Sequence, residues 1–567
     1  MSKEPPTDVI VKPVDSAKLP EDKVAETCAI PGSFMVVGRR EWLEGKIVQG
    51  AITPEQRVEI GNPSDLRPIK EVLDKQRHQG FDVLTIGANP VSDTSKIALV
   101  QYGTQEMVYL IEPALIPEFK DQLQSEAHLK IGHKIGLDYK FILSKSGFPL
   151  VRMYDTMLAE QLLTAGLEVP VGLKDLARRY APHHDVSGHL RDDFNNLCED
   201  DKFTKEMLRD GALNLHVLFP VFKGQCRELK EHGLEIVAKD EFCCIPVTAD
   251  MELTGISLDE QILLLNKSFY EELQVEINEE AQQFYNDATV KNPPWGKVIV
   301  LPRKKGENCF NINSWQEKLN ALRDLGYKVD NVRKETLGKL DGPFPKLLLQ
   351  YSAYQKIAST YIRGLLRGRN PQGIYHPEFH QMGQGDDSEE HEYRKITTAT
   401  GRYSSFVQQI PGPETRYGLI QTPEELSHVQ TVFAERLQQG IGTSCTGKGE
   451  PTSLGEMGGK EYYLFPADDK HPEPYLQWKV PNIREAFRAR PGYKLLIADY
   501  SQIEVKIMAE LSGDPWLTVA LNSGLDLHSL MASEIHGIPY DEFYNAYKNR
   551  MTQNMLSIRP AGQTLKA

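Results

Sequence analysis

The stretch Lys494-Leu-Leu-Ile-Ala-Asp499-Tyr-Ser-Gln-Ile-Glu504-Val-Lys506 decides the fold. Its apolar run, Leu495 to Ala498, ends at an acid. Ile503, Ile507, Met508 and Leu511 then recur at the spacing of one helix face. The pattern predicts a buried strand that delivers Asp499 to its end, then a turn, then a helix. A carboxylate placed there can hold a divalent cation through oxygen. It can also simply cap the helix, because Asp is a favoured N-cap, and spacing alone favours the cap.

The flanks add to this reading. Ile483-Arg484-Glu-Ala-Phe487 precedes the stretch and Leu511-Ser-Gly-Asp514 follows it. With them, Asp499 to Glu504 resembles the first palm motif of the family A (DNA polymerase I-like) DNA polymerases. Thr398-Ala-Thr-Gly-Arg402-Tyr-Ser-Ser405-Phe-Val-Gln408-Gln409-Ile-Pro411 resembles that family's stretch beside the primer terminus. Gly524-Leu-Asp526-Leu-His528, with Gly537-Ile-Pro539, resembles the segment whose histidine approaches the nucleotide phosphates. The resemblance implies template-directed DNA synthesis on a primer–template with dNTPs and two Mg²⁺ ions. Asp499 would ligate both ions and the Tyr500 carbonyl one of them. Gln502, His528 and Arg559 would meet the triphosphate. Glu504 would lie under the sugar and disfavour a 2′-OH. Arg402, Ser404, Ser405 and Gln408 would hold the last base pair and its backbone.

Upstream, an α/β pattern runs over 76–232, with strand-like Asp82-Val-Leu-Thr-Ile86 and Ile97-Ala-Leu-Val-Gln101 joined by a hairpin loop. Gly132-His133-Lys134 followed by Asp138, then Tyr154-Asp-Thr-Met-Leu-Ala-Glu-Gln-Leu-Leu163, then Gly172-Leu-Lys-Asp-Leu-Ala177 resemble the family's RNase H-like 3′–5′ exonuclease domain. That domain's chemistry needs four carboxylates around two metals. Here the positions expected for its first-strand acid pair read Gly87 and Asn89, or the pair is lost in a deletion; Lys134 replaces an asparagine, and Glu206 replaces a tyrosine. Only Asp138 and Asp210 stand where that family has acids. The expectation is a folded scaffold with a degenerate site, Lys134 placing a cation where a metal belongs.

The 567 residues suffice for three or four domains, and 40% hydrophobic with 25% charged is ordinary for a soluble protein. No span is apolar enough for a bilayer and the N-terminus has no signal layout, so a cytoplasmic protein is expected. A net charge of −14 votes against nucleic acid. The vote is weak, because a large acidic protein can carry one basic groove. The seven cysteines form no zinc spacing.

In order, the chain reads as a flexible tail (1–33), an extension (34–75), the exonuclease-like domain (76–232) and a partial polymerase domain (233–567) of thumb, part of the palm and the start of the fingers. Residues 345–367 predict a thumb helix. Lys356 and Arg363 on it would follow duplex phosphates, or simply meet solvent. Residues 412–480 form an insertion, and its Gly/Ser/Thr-rich middle predicts a surface loop. The final residues, Ile558-Arg559-Pro-Ala-Gly-Gln563-Thr-Leu-Lys566-Ala567, match the family's fingers helix in no complete register, and the second palm acid is absent from the sequence. This predicts the front part of a split, interrupted or truncated polymerase with an incomplete two-metal site, which a second polypeptide would complete in the split case. The rivals are a non-catalytic DNA-binding or structural subunit or inert remnant, and a 3′–5′ exonuclease.

Overall fold

A computed structural model describes residues 33–548, apart from 88–94, 166, 168, 185, 187–189, 292–308, 383–400, 412–415, 421–422, 435–436, 438–451, 459, 466–473 and 501. The tail (but for Ser33), Asn89 and Arg559 therefore lie outside the described residues. The chain divides into two units, Met1–Arg490 and Pro491–Ala567.

The first unit is built on strands that are apolar on both faces, the mark of a sheet covered on both sides. They are β1 (Phe34–Gly38), β2 (Arg57–Glu59), β3 (His78–Ile86), β4 (Lys96–Gly103), β5 (Val108–Ile111), β6 (Leu129–Gly132) and β7 (Met153–Asp155). Their order is β2-β1-β5-β4-β3-β6-β7. The pairs β3–β4 and β4–β5 are antiparallel and the rest are parallel. The sheet thus takes in residues read from sequence as a separate extension. β1 pairs with β5, Val36 opposite Leu110, because Val36 and Val37 find full burial only inside the sheet.

On one face, α1 (Arg67–Asp74) and α2 (Ile135–Ser146) bury Ile69, Leu73, Tyr139, Phe141 and Ile142. On the other, α4 (Leu190–Asn195) and α5 (Lys205–Glu231) bury Phe194, Leu208, Leu215 and Phe219. Between these pairs in sequence, Asp155 caps α3 (Thr156–Leu163), accepting from Met157 N at 2.8 Å.

α6 (Glu235–Thr254) leads out of this layer and ends at Gly255, whose φ is +63°. A side chain there would need a left-handed backbone and would meet the Tyr375 carbonyl at 2.6 Å. The turn feeds β8 (Ile256–Leu258), which pairs with β9 (Ile374–Tyr375) and β16 (Phe487–Arg488). A long helix follows as α7 (Glu260–Lys291). Ser314 caps α8 (Trp315–Asp324), its Oγ accepting from Glu317 N at 3.3 Å. The segment expected to be a thumb helix forms α9 (Pro343–Lys356), a π-helical turn over Ile357–Ile362, and α10 (Arg363–Arg367).

β10 (Phe379–His380) pairs antiparallel with β11 (Ser404–Ser405). The insertion is more than a loop. β12 (Arg416–Leu419), β13 (Thr452–Met457), β14 (Lys460–Phe465) and β15 (Tyr475–Val480) form an antiparallel sheet in the order β12-β15-β14-β13. α11 (Pro423–Val432) packs on its Tyr462 and Trp478 face through Val429 and the adjoining Phe433. The Gly/Ser/Thr-rich middle drew the reading away from the aromatic, strand-prone run Lys460-Glu-Tyr-Tyr-Leu-Phe465 just beyond it.

The second unit holds α12 (Ile503–Ser512), α13 (Pro515–Asn522), α14 (Leu527–His536) and α15 (Tyr540–Lys548). The predicted helix after Asp499 is present. The predicted buried strand before it is not. Residues 493–500 pair with no strand among the described residues, and Leu496 and Ile497 are 94% and 89% exposed. An apolar run becomes a buried strand only beside a partner ladder and under a covering face, and the described residues of this unit supply neither.

Candidate functional site

The primer-type stretch starts with Arg402, exposed at the head of β11. Tyr403 turns inward, its hydroxyl 2.8 Å from Thr248 Oγ1 on α6, and burial pushes that phenol up. Ser405 is buried and its Oγ accepts from Val407 N at 3.3 Å, so it caps the short turn Phe406–Gln409. Ser404 is half-buried and Gln408 exposed. Phe406 packs 5.6 Å from Tyr361 of the π-turn, and only a glycine at 364 leaves room for its ring, which would meet a Cβ at 3.0 Å. Lys356, Arg363 and Arg367 are all exposed on this helical run, while Arg369 is tied to Glu260 at 2.8 Å.

β10 anchors this stretch from behind. Phe379 N donates to Glu252 Oε1 at 2.6 Å, and Glu252 Oε2 accepts from Lys140 Nζ of α2 at 2.5 Å. Both ion-pair partners are nearly buried, at 15% and 10% exposure for Lys140 and Glu252. Beyond β10, Met382 sits in the core of the seven-stranded layer. The exonuclease-like layer and the primer-type strand are therefore one packed body, a link that sequence reasoning missed.

In the second unit, Asp499 and Tyr500 are exposed. Gln502 adopts a left-handed backbone with φ +53° at the N-cap of α12. Its Nε2 donates to Asp526 Oδ1 at 3.0 Å, and Asp526 caps α14, accepting from Ser529 N at 3.0 Å. The half-exposed His528 lies on the first turn of α14. Glu504 is exposed on the first turn of α12. One hydrogen bond thus joins the Asp499–Gln502 turn to the start of the His528 helix. The two helix starts offer positive dipole ends, the usual setting for anionic groups.

The exonuclease-like centre differs from the sequence reading. The first-strand acid is Asp82 on β3, not a residue near Gly87. Val83 N donates to Asp138 Oδ1 at 3.3 Å, which sets Asp82 and Asp138 side by side. Two residues on and on the same strand face, the place of a second acid is taken by Leu84, fully buried. The local cation is Arg191 of α4, with Nη2 at 2.5 Å from Asp82 Oδ1 and 3.4 Å from Asp138 Oδ1. Burial pushes both carboxyls up, Asp138 well up, and the guanidinium opposes this. Lys134, expected in that role, instead takes a left-handed backbone with φ +60° at the N-cap of α2, and its amide donates to Asp155 Oδ1 at 3.0 Å. Asp210 is half-buried on α5. An acid inside the apolar phrase Phe81-Asp82-Val83-Leu84 was the available signal. Among the described residues no three His, Cys, Asp or Glu side chains cluster as a metal site, and no helix is long and apolar enough to cross a membrane.

Two family models match the chain: DNA polymerase family A over residues 474–554 and 3′–5′ exonuclease over residues 58–224. The latter begins within β2, in keeping with the enlarged sheet. DNA polymerase I of Rhizobium leguminosarum is 25% identical over 75% of this chain and 34% of its own length. DNA polymerase I of Chloroflexus aurantiacus is 27% identical over 53% of this chain and 23% of its own length. DNA polymerase I of Mycobacterium bovis is 51% identical over 12% of this chain and 8% of its own. The chain thus spans about a third or less of the curated relatives named here. A solved structure, the POL domain of Pol1 from M. smegmatis in complex with DNA primer-template and dNTP, aligns with a TM-score of 0.54 at 20% identity, over 89% of this chain and 70% of that one. That likeness shows the fold.

Proposed function

From the premise that this chain belongs to the family A DNA polymerases, we propose that it takes part in DNA-directed DNA synthesis, supplying the thumb, the primer grip and the first palm acid. The observation that carries this is the Gln502–Asp526 hydrogen bond, which fastens the Asp499 turn to the helix start bearing His528. A carboxylate, a backbone carbonyl and two helix N-termini then lie within one small unit, the set of groups that positions a triphosphate.

Arg402, Ser404 and Gln408 would face the primer end, with Ser405 shaping the turn beneath them. Lys356 and Arg363 would follow the duplex backbone. Gln502 and His528 would meet phosphate oxygens, Arg559 would assist, and Glu504 would sense the sugar. Asp499 and the Tyr500 carbonyl are hard oxygen donors and suit Mg²⁺, which is commonly held by one or two carboxylates plus substrate phosphates. When bound, such ions would stabilise the attacking and leaving oxygens. Asp499 is half of that donor set. The exposed run Leu495–Ile497 supports a partner for the other half. Further polymerase polypeptide would add a strand beside it and cover its apolar face. The exonuclease-like domain serves as a scaffold.

Primer extension tests the reading. Extension is expected only when the chain is supplemented with a polypeptide carrying the rest of a family A palm and fingers, and Asp499→Ala should abolish it. Extension that survives Asp499→Ala refutes the role of that acid. Primer–template binding without extension in the supplemented mixture would favour a DNA-binding subunit.

A further inference from the structure

We propose that the Arg191 guanidinium is a resident cation standing where the exonuclease-like centre would otherwise take a divalent metal. One feature does suit a metal: Asp138 Oδ2 is buried with no hydrogen-bond partner among the described residues. The rest of the centre does not. Two carboxylates face each other across β3 and α2, and a single guanidinium nitrogen contacts both, at 2.5 Å and 3.4 Å. The same nitrogen lies 3.5 Å from the His133 carbonyl oxygen, a third oxygen of the kind a cation would draw in.

Arg191 is not a surface arginine that happens to reach inward. Its neighbours Leu190 and Phe194 on α4 are buried. Asn195, at the end of that helix, accepts from Thr85 Oγ1 at 3.1 Å and from Gly87 N at 3.4 Å, pinning α4 to the end of β3. Leu84, in the place of a third carboxylate, turns its side chain toward α5, where its Cδ1 lies 3.8 Å from the Cβ position at Gly211. Apolar packing thus stands between Asp82 and the helix that carries Asp210. Two acids already shared with a guanidinium offer a divalent ion too little negative charge, and such ions need several oxygens. The centre is a closed ion-pair group, made independent of metal by a side chain 109 residues from Asp82 in sequence.

The test uses the full chain carrying Asp499→Ala, so that the palm acid of the other unit contributes no metal ligand. Mn²⁺ is the probe, followed by electron paramagnetic resonance and by the thermal midpoint, and neither readout depends on DNA synthesis. This parent should bind no Mn²⁺, and its midpoint should be the same with Mn²⁺ and with chelator. Arg191→Met leaves two facing acids without a cation. Its midpoint should fall, and Mn²⁺ should restore more than half of the loss. Arg191→Gln, which keeps a donor without the charge, replaces the Met variant if that does not fold. Arg191→Lys should behave as the parent. Mn²⁺ bound by the parent, or an uncharged variant that Mn²⁺ does not stabilise, overturns the proposal.

Discussion

Lys140→Met is the sharpest probe of how the two layers of the first unit work together. Lys140 lies on α2 of the exonuclease-like layer, and its amine meets Glu252 at 2.5 Å. The other oxygen of Glu252 takes the Phe379 amide at 2.6 Å, and Phe379 lies opposite Ser405 in the β10–β11 pair. Removing one partner of a buried ion pair costs about 3–5 kcal/mol because the other charge is left uncompensated. With Glu252 10% and Lys140 15% exposed, water relieves part of that penalty, so the lower end applies, about 3 kcal/mol. If the loss is confined to local opening of this hairpin, amide exchange should rise roughly a hundredfold, at tenfold per 1.4 kcal/mol. Hydrogen–deuterium exchange over the peptides containing Phe379–His380 and Tyr403–Ser405 reads this directly. Primer–template affinity, measured by anisotropy, should weaken in step, although Lys140 is placed in no DNA-contacting role. Unchanged exchange at both peptides would refute the coupling and reduce the ion pair to an isolated contact.

Three further outcomes follow from the same structure. Lys130 Nζ is sealed inside and donates to Ser125 O and His128 O, both at 2.9 Å, and burial lowers its pKa from 10.5 to about 7. The unfolded chain therefore holds one more proton between about 7 and 10.5, so stability rises with pH across that window and the penalty is constant below it. Lys130→Met should flatten a rise of a few kcal/mol in urea unfolding measured across those pH values. Gly224→Ala sets a Cβ 2.3 Å from the Tyr180 ring, whose hydroxyl is bonded to Glu160 and Glu228. It should cost about 1–3 kcal/mol in a denaturant melt, whereas Gly147→Ala, with nothing near its Cβ, should cost only left-handed strain. A labelled single strand incubated with Mg²⁺ or Mn²⁺ should stay intact, and brisk digestion abolished by Asp138→Ala would contradict the scaffold role.

Local pattern foretold what local pattern can. The helix after Asp499 is set by residues within a turn or two of one another. Contacts made across the sequence were less legible. Nothing in Phe34-Met-Val-Val-Gly38 says that its neighbour is Val108–Ile111. Asp82 and Arg191 acquire meaning only when β3 and α4 meet. The π-turn at Ile357–Ile362 shifts the helical phase between Lys356 and Arg363, a shift that a 3.6-residue period does not show. The strand before Asp499 was misread for a related reason. Its apolar residues describe the partner they need, and that partner is not among the described residues of their own unit.

The position of β1 has a consequence for how the protein is made. In the finished sheet it lies between β2 and β5. On a ribosome it emerges early, and its second neighbour comes only after two further hairpin strands. α5, whose Leu215 shares a core with Leu110, is completed only at Glu231. Until then Val36 and Val37 belong to an unfinished edge with open backbone ladders, the kind of surface that recruits other chains. Nascent fragments stopping short of Glu231 should therefore depend on chaperones and aggregate when released, while those extending past it should fold in a single cooperative step. For this layer, assembly waits on the end of synthesis.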